Sequence, residues 1–478
     1  MWNLADKKIL VVGLGRTGVA TARFLKKRGA AVRVTDWAPE EQLRGPAQLM
    51  RGLGIPMELG HQRDATFEEA DLIVLSPGVS HVLAPLNRAR ARGVPVLGEV
   101  ELASRFIREP IVAITGTNGK TTTTELLGRM LQRSGRQVFV GGNIGNPLIG
   151  YVDHGPAADI VVAEISSFQL DTIATFRPQV AVLLNISADH LDRYPDYDAY
   201  VRSKWRIFEN QQPEDTAVIN GSDPALRPGP APIRSRRLYF NSSAQDQDGA
   251  IASGQRILFR LKGPLPQGRQ ARTPRPALRM PAFLDLSKFS LPGAHNRENA
   301  CAASLAALAA GGTPEGIQAA LDQFRGLSHR LEHVATIDAV QYFDDSKATN
   351  VDAVVRALEC FAGPIILIMG GREKSTSFGA LKQSVRQRTK ALIVMGEAAA
   401  HIKTVLGELT PTHTAVSMAD AVAQARQAAA PGDIVLLSPG CASFDMYRDY
   451  AARGDDFRRQ VTACRDRAQA GSAASNGD

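Results

Sequence analysis

Residues Ile111–Thr124 read IVAITGTNGKTTTT, and the order of residue types in this stretch decides the fold. The apolar run Ile111–Ile114 has the length of a buried strand. It empties into Thr115-Gly116-Thr117-Asn118-Gly119-Lys120-Thr121-Thr122, and the helix-forming segment Glu125–Gln132 follows. Strand, glycine loop and helix in that order make a cradle for phosphate. The glycines let backbone N–H groups turn inward around a polyphosphate, and the helix adds the positive end of its dipole. Lys120 is placed to reach the outer phosphates, and the Thr121 hydroxyl to ligate Mg²⁺. Gly116 sits only three residues before Gly119, a departure from the most general phosphate-loop spacing. The reading is a P-loop that binds ATP, with a glycine turn that holds no ligand as the alternative.

Working outward, three α/β blocks follow one another, which predicts an α/β fold of three domains. The first, 1–98, opens with the strand Ile9–Val12 and the turn Gly13-Leu14-Gly15-Arg16-Thr17-Gly18. A second strand, Ala31–Thr35, ends at Asp36. Glycines followed about 20 positions later by an acid mark a Rossmann-like nucleotide domain. Taken alone, this pattern suggests NAD. The strand Leu72–Leu75 with Ser76-Pro77-Gly78-Val79 adds a second loop at the same sheet edge.

The central block, 99–326, carries the P-loop on a mainly parallel sheet. Its strands Ile160–Ala163 and Val180–Leu184 end at Glu164 and Asn185, the second leading to Asp189-His190-Leu191-Asp192. Ligands of open parallel sheets collect at strand carboxyl ends, so Glu164 and His190 read as Mg²⁺ or phosphate partners. The last block, 327–478, is again Rossmann-like, with strands Ile365–Met369, Ala391–Met395 and Ile434–Leu437. Its segment 468–478, small and polar, reads as a disordered tail.

Composition excludes several classes. Hydrophobic residues at 44% and charged residues at 22% fit a soluble globular protein. No apolar run approaches the roughly 20 residues of a membrane span. Four scattered cysteines show no metal or redox spacing and predict reduced thiols in the cytoplasm. The net charge of +8 concentrates in Arg256–Leu284 and Arg227–Arg237. Such Pro-punctuated basic segments, without interleaved aromatics, read as solvated loops rather than a nucleic-acid surface.

These motifs together resemble the Mur ligase family over nearly the whole chain. The P-loop Thr115–Thr122, Glu164-Ile165-Ser166-Ser167-Phe168-Gln169-Leu170 and Asp189-His190-Leu191-Asp192 carry the general likeness. Asp345-Ser346-Lys347-Ala348-Thr349-Asn350 and Ser438-Pro439-Gly440-Cys441-Ala442-Ser443-Phe444-Asp445 are similar to the branch that adds D-glutamate. The resemblance implies ATP-driven amide formation on UDP-N-acetylmuramoyl-L-alanine through an acyl phosphate, by a cytoplasmic monomer. It also implies roles. ATP would lie on Gly116, Thr117, Asn118, Gly119, Lys120, Thr121 and Thr122, with Asn299 at adenine and Arg330 and Asp345 over the nucleotide.

Two Mg²⁺ ions would be held by Thr121, Glu164, His190 and a carbamylated Lys204. From its residues alone, Lys204 is an exposed helix lysine. The uridine substrate would sit on Gly15, Arg16, Thr17, Asp36 and Gly78, with Asn143 near the reacting centre and Trp37 against uracil. D-Glutamate would meet Thr349, Lys374, Ser443 and Tyr450, the last through a backbone contact. Glu373 stands where relatives often have aspartate, and Pro264–Pro281 is an insertion with no assigned role. The alternative within the family is another amide-forming ligase, folylpolyglutamate synthase or a Mur ligase adding a different amino acid.

Overall fold

In a computed structural model of the protein, residues 2–189, 193–227, 229–244, 246–263, 282–373 and 377–475 are described. The chain divides into two compact units. One holds Met1–Ile186, Asp196–Lys288 and Glu298–Gln323, the other Ser187–Pro195, Phe289–Arg297 and Phe324–Asp478.

The first unit contains two sheets. Strands β1 (Lys8–Val12), β2 (Ala31–Asp36), β3 (Met57–Leu59), β4 (Leu72–Leu75) and β5 (Val96–Gly98) form a parallel sheet in the order β3-β2-β1-β4-β5. The order reverses between β1 and its two neighbours, which opens a crevice at their carboxyl ends where ligands of such sheets bind. All four residues of β4 are buried, as expected of a strand covered on both faces.

The second sheet has nine strands: β6 (Ile111–Thr115), β7 (Val138–Gly142), β8 (Ile160–Glu164), β9 (Val180–Leu183), β10 (Thr216–Asn220), β11 (Arg236–Phe240), β12 (Gly249–Ser253), β13 (Arg256–Arg260) and β14 (Phe283–Asp285). Their order is β14-β13-β12-β11-β10-β9-β6-β8-β7. β6 lies between β8 and β9, parallel to both, so the P-loop leaves the sheet between the strands that end at Glu164 and Leu183.

The helix after the P-loop begins at Lys120, not Glu125, because the loop's last glycine serves as its N-cap. The basic segment 256–284 is not wholly loop, since β13 and β14 add an antiparallel edge to the sheet. The Arg256 guanidinium stacks 4.4 Å from the Phe283 ring, and Arg260 donates to the carbonyls of Ser242 and Ala244. The insertion 264–281 lies outside the described residues.

The second unit is built on β15 (Glu332–Ile337), β16 (Val340–Asp344), β17 (Ile365–Gly370), β18 (Thr389–Met395), β19 (Thr412–Thr414) and β20 (Ile434–Leu437), in the order β15-β16-β20-β17-β18-β19. Only β15 runs antiparallel, joined to β16 by Asp338 and Ala339, both at positive φ as a tight hairpin turn requires. Side chains alternate across this sheet. Leu367, Met369, Val394 and Leu436 pack with Val354 and Ile402 on one face. Ile366, Ile368, Val435 and Leu437 pack with Val422, Phe457 and Val461 on the other. The closing helix Tyr450–Ser475 continues through 468–475, where composition alone suggested a tail; alanines at 468, 470, 473 and 474 favour helix. Among the described residues no helix is long and apolar enough to cross a membrane.

Candidate active site

The P-loop is held from below by Asn185. Thr117 N donates to the Asn185 carbonyl at 2.9 Å, and Asn118 N to its Oδ1 at 2.8 Å. Asn185 Nδ2 returns a bond to the Asn118 carbonyl at 3.0 Å. Gly119 stands at φ +84°, left-handed backbone that favours glycine, and a Cβ there would overlap Asn299 Oδ1. Asn299, read for the adenine, is thus seated directly against the P-loop.

Two ammonium groups converge on one loop oxygen. Lys120 Nζ donates to the carbonyls of Gly116 and Thr117, each at 2.8 Å. Lys204 Nζ donates to the same Gly116 carbonyl at 2.8 Å and lies 4.6 Å from the Tyr200 ring centroid. Lys204 is 2% exposed, so its reading as a surface lysine is overturned. Its short helix, Tyr197–Trp205, turns Tyr200, Ser203, Lys204 and Trp205 inward. Two cations beside a glycine loop that opens the helix Lys120–Arg133 favour a polyanion.

Glu164 ends β8 opposite Ile114 of β6, at the root of the loop. It is 2% exposed. Its Oε1 accepts from Asn143 Nδ2 at 2.8 Å, while Oε2 is buried without a hydrogen-bond partner among the described residues. An orphaned carboxylate oxygen is costly to bury. A hard cation, which takes oxygen ligands, satisfies it, so the donor set fits Mg²⁺. Thr121, in the first turn of the helix Lys120–Arg133, supplies a hydroxyl at the same loop. His190 lies outside the described residues.

A separate cleft of about 520 Å³ occupies the crevice of the first sheet. Gly15, Arg16, Thr17, Asp36, Gly78 and Asn143 all line it, so the structure brings together every residue read for the uridine substrate. Trp37, 69% exposed, stands on its wall. Asp36 has more to do than contact a ligand. Its Oδ2 accepts from Leu14 N at 2.6 Å and its Oδ1 from Ala38 N at 2.8 Å, which fixes the glycine turn. Arg16 reaches across to Asn146 Oδ1 at 2.7 Å.

In the second unit the predicted residues gather around the carboxyl ends of β16, β17 and β20. Asp345 is buried, accepting from Ser438 Oγ at 2.9 Å and from Leu331 N at 3.3 Å; burial pushes its carboxyl up to about 7. The Arg330 guanidinium opposes that shift. Next to Arg330, His329 is hydrogen-bonded to Asp344 at 2.7 Å, which raises the imidazole above its ordinary value. Ser443 is buried, and Thr349 precedes Asn350, the N-cap of the helix Val351–Leu358. Asn350 Nδ2 also donates to Asp189 at 3.1 Å. Tyr450 accepts from Ser346 Oγ through its carbonyl at 2.8 Å, and Lys347 Nζ lies 5.1 Å from its ring centroid. Lys374 lies outside the described residues.

The sequence reading missed Asn185 as the clamp of the P-loop and Arg453 as the hub beneath the second unit's loops. The signal for Asn185 was its place at the end of a strand beside the P-loop. No local signal marks Arg453.

Known families bear on this geometry. The family model described as "Mur ligase MurD-like, N-terminal domain" matches residues 7–98, "Mur ligase middle domain" matches 114–307, and "Mur ligase, glutamate ligase domain" matches 329–441. The chain is 53% identical to the UDP-N-acetylmuramoylalanine--D-glutamate ligase of Desulfosudis oleivorans over 456 residues, which are 95% of this chain and 96% of that one. It is 49% identical to the enzyme of the same name from Desulfatibacillum aliphaticivorans over 462 residues, 96% of this chain and 99% of the relative. Among solved structures, a MurF ligase from Thermotoga maritima in complex with ADP is similar in fold. Its TM-score is 0.58 at 16% identity, covering 96% of each chain.

Proposed function

The chain belongs to the Mur ligase family, and from that membership we propose that it joins D-glutamate to UDP-N-acetylmuramoyl-L-alanine, consuming ATP, in peptidoglycan precursor synthesis. In this reading 1–98 binds the uridine substrate, 99–326 binds ATP, and 327–478 receives the amino acid. The protein works as a cytoplasmic monomer, which light scattering at assay concentration tests.

One observation supports the chemistry above all. The Lys120 ammonium lies on the Gly116 and Thr117 carbonyls of a P-loop whose root carries the orphaned oxygen of Glu164. A carboxylate cannot be attacked directly by an amine, because oxide would have to leave. Transfer of the γ-phosphoryl group to the muramoyl-alanine carboxylate releases ADP and supplies a better leaving group. The D-glutamate amine then attacks the acyl carbon, loses a proton, and inorganic phosphate departs as the amide forms. Two anions must meet in the first step, so local positive charge sets the barrier.

Lys120 and the loop N–H groups bind the transferring phosphates, and Asn299 orients the adenine. Thr121 and Glu164 would hold Mg²⁺, with His190 at a second ion; bound there, Mg²⁺ neutralises phosphate charge and orients the γ-phosphate. Lys204 as a carbamate would become an oxygen donor. The change reverses its charge and removes a buried cation from beside Lys120. Asp345 and Arg330 bind ribose and phosphate. Thr349, Ser443, Lys374 and Tyr450 receive D-glutamate, whose two carboxylates need donors from several loops.

Phosphate release from Mg·ATP with UDP-N-acetylmuramoyl-L-alanine tests the proposal, with D-glutamate, L-glutamate, meso-diaminopimelate or L-lysine offered in turn. Release and an amide product with D-glutamate alone support it. Release with another acceptor reassigns the second unit's loops, and none with any acceptor sinks the muramoyl reading.

A further inference from the structure

We infer that Arg453 is a positioning residue for the amino-acid acceptor, its buried side chain tying together three loops, two of which carry Thr349 and Ser443. This rests on the reading that the second unit binds D-glutamate. Arg453 sits in the first turn of the helix Tyr450–Ser475 and is 2% exposed. Its guanidinium points beneath the carboxyl ends of β16, β20 and β17, which are neighbours in the sheet. Nε donates to Ser346 Oγ at 3.0 Å and Nη2 to the Ser346 carbonyl at 2.8 Å. Both terminal nitrogens reach the Cys441 carbonyl at 3.2 Å, and Nη1 reaches Gly370 O at 3.3 Å.

The acceptors are a hydroxyl and main-chain carbonyls. Burial draws the group down to about 10, so it stays cationic at neutral pH. A fork of five donors suits this task because several carbonyls from different loops must be satisfied at once; a lysine offers three donors at one point. The surrounding chain is closed tightly on it. Gly371 stands at φ +130°, and a Cβ there would lie 3.0 Å from Arg453 Nη1 and 3.2 Å from Cys441 Cβ. Arg372 and Ala442 exchange two backbone hydrogen bonds, at 2.8 and 3.0 Å, joining two of the loops directly. Gly454 leaves no room for a side chain beside Asp344 Oδ2, 2.6 Å from where a Cβ would stand. Ser443 follows Ala442, Lys374 comes two residues after Arg372, and Thr349 three after Ser346. Thr349 and Ser443 therefore hang from backbone segments that Arg453 fixes.

The test is the set of Michaelis constants of the full-length enzyme carrying Arg453→Lys, together with its melting temperature. Losing part of the carbonyl network should raise KM for D-glutamate about tenfold or more. KM for ATP and for the uridine substrate should stay within about twofold. Ser346→Ala removes one anchor of the guanidinium and should move KM for D-glutamate in the same direction by less, which keeps the test decisive if the lysine variant does not fold. An unchanged KM for D-glutamate in a folded Arg453→Lys enzyme, or in Ser346→Ala where that variant is the one that folds, overturns the inference. So does a uniform loss across all three substrates that follows melting temperature. A wild-type enzyme that does not use D-glutamate overturns the parent reading instead, so the two failures are distinguishable.

Discussion

Gly119→Ala isolates how the P-loop holds its shape. The native residue sits at φ +84°, where an L-residue pays about 1–2 kcal/mol. The added methyl would also meet Asn299, overlapping Oδ1 and standing 3.0 Å from Cγ. Asn299 is buried at 6% exposure, so it has little room to withdraw. Moving it off its rotamer costs about 0.5–1.5 kcal/mol, and each hydrogen bond it loses about as much again. The combined cost is about 3 kcal/mol, which corresponds to roughly a hundredfold weaker binding of Mg·ATP. Calorimetric titration of ATP into wild type, Gly119→Ala, Asn299→Ala and the double variant separates the two contributions. In the Asn299→Ala background the methyl no longer meets a side chain. Gly119→Ala should then cost only the backbone term, about tenfold or somewhat more. An affinity within twofold of wild type for Gly119→Ala would refute the reasoning. Strict additivity of the two substitutions would refute the contact between Asn299 and the loop as the source of the effect.

Other expectations follow from single side chains. Glu164→Gln keeps the hydrogen-bond acceptor for Asn143 but loses the charge on the orphaned oxygen; the Mg²⁺ needed for half-maximal phosphate release should rise about tenfold or more. Lys204→Ala should lower kcat by about a hundredfold and abolish any stimulation by added bicarbonate, whereas full activity of that variant would contradict the carbamate. Glu99 is buried, with Oε1 on Ile149 N at 2.6 Å and, among the described residues, no partner for Oε2, and burial pushes it from 4.5 up to about 7. Its raised value contributes stability that is fully present below pH 4.5 and lost as pH rises through 7. Glu99→Gln should therefore gain about 3 kcal/mol relative to wild type between pH 4.5 and 8, read from urea midpoints; a difference that does not vary with pH would contradict this.

What the sequence could reveal follows from which forces are local. Ile111–Ile114, Leu72–Leu75 and Ile434–Leu437 were readable as strands because a parallel strand covered on both faces is a short unbroken apolar run. The glycine turns were readable because positive φ restricts the residue type. The edge strands β13 and β14 were not, because arginines at the ends of β13 and neighbouring prolines outweighed the apolar Ile257-Leu258-Phe259 between them.

Charged residues exposed the limit of pattern reading. Hydropathy sends a lysine or arginine to solvent, and on that ground Lys204 was an exposed helix residue and Arg453 drew no notice. Both are 2% exposed. Each is buried because its partners are main-chain carbonyls: Gly116 for Lys204, and Ser346, Gly370 and Cys441 for Arg453. Those carbonyls belong to segments 88, 107, 83 and 12 residues distant in the chain. A carbonyl has the same polarity at every position, so no residue type in the sequence advertises which ones will converge. Tertiary closure of the loops creates the acceptor set. Buried cations paired with backbone are thus where this fold departs furthest from its hydropathy pattern.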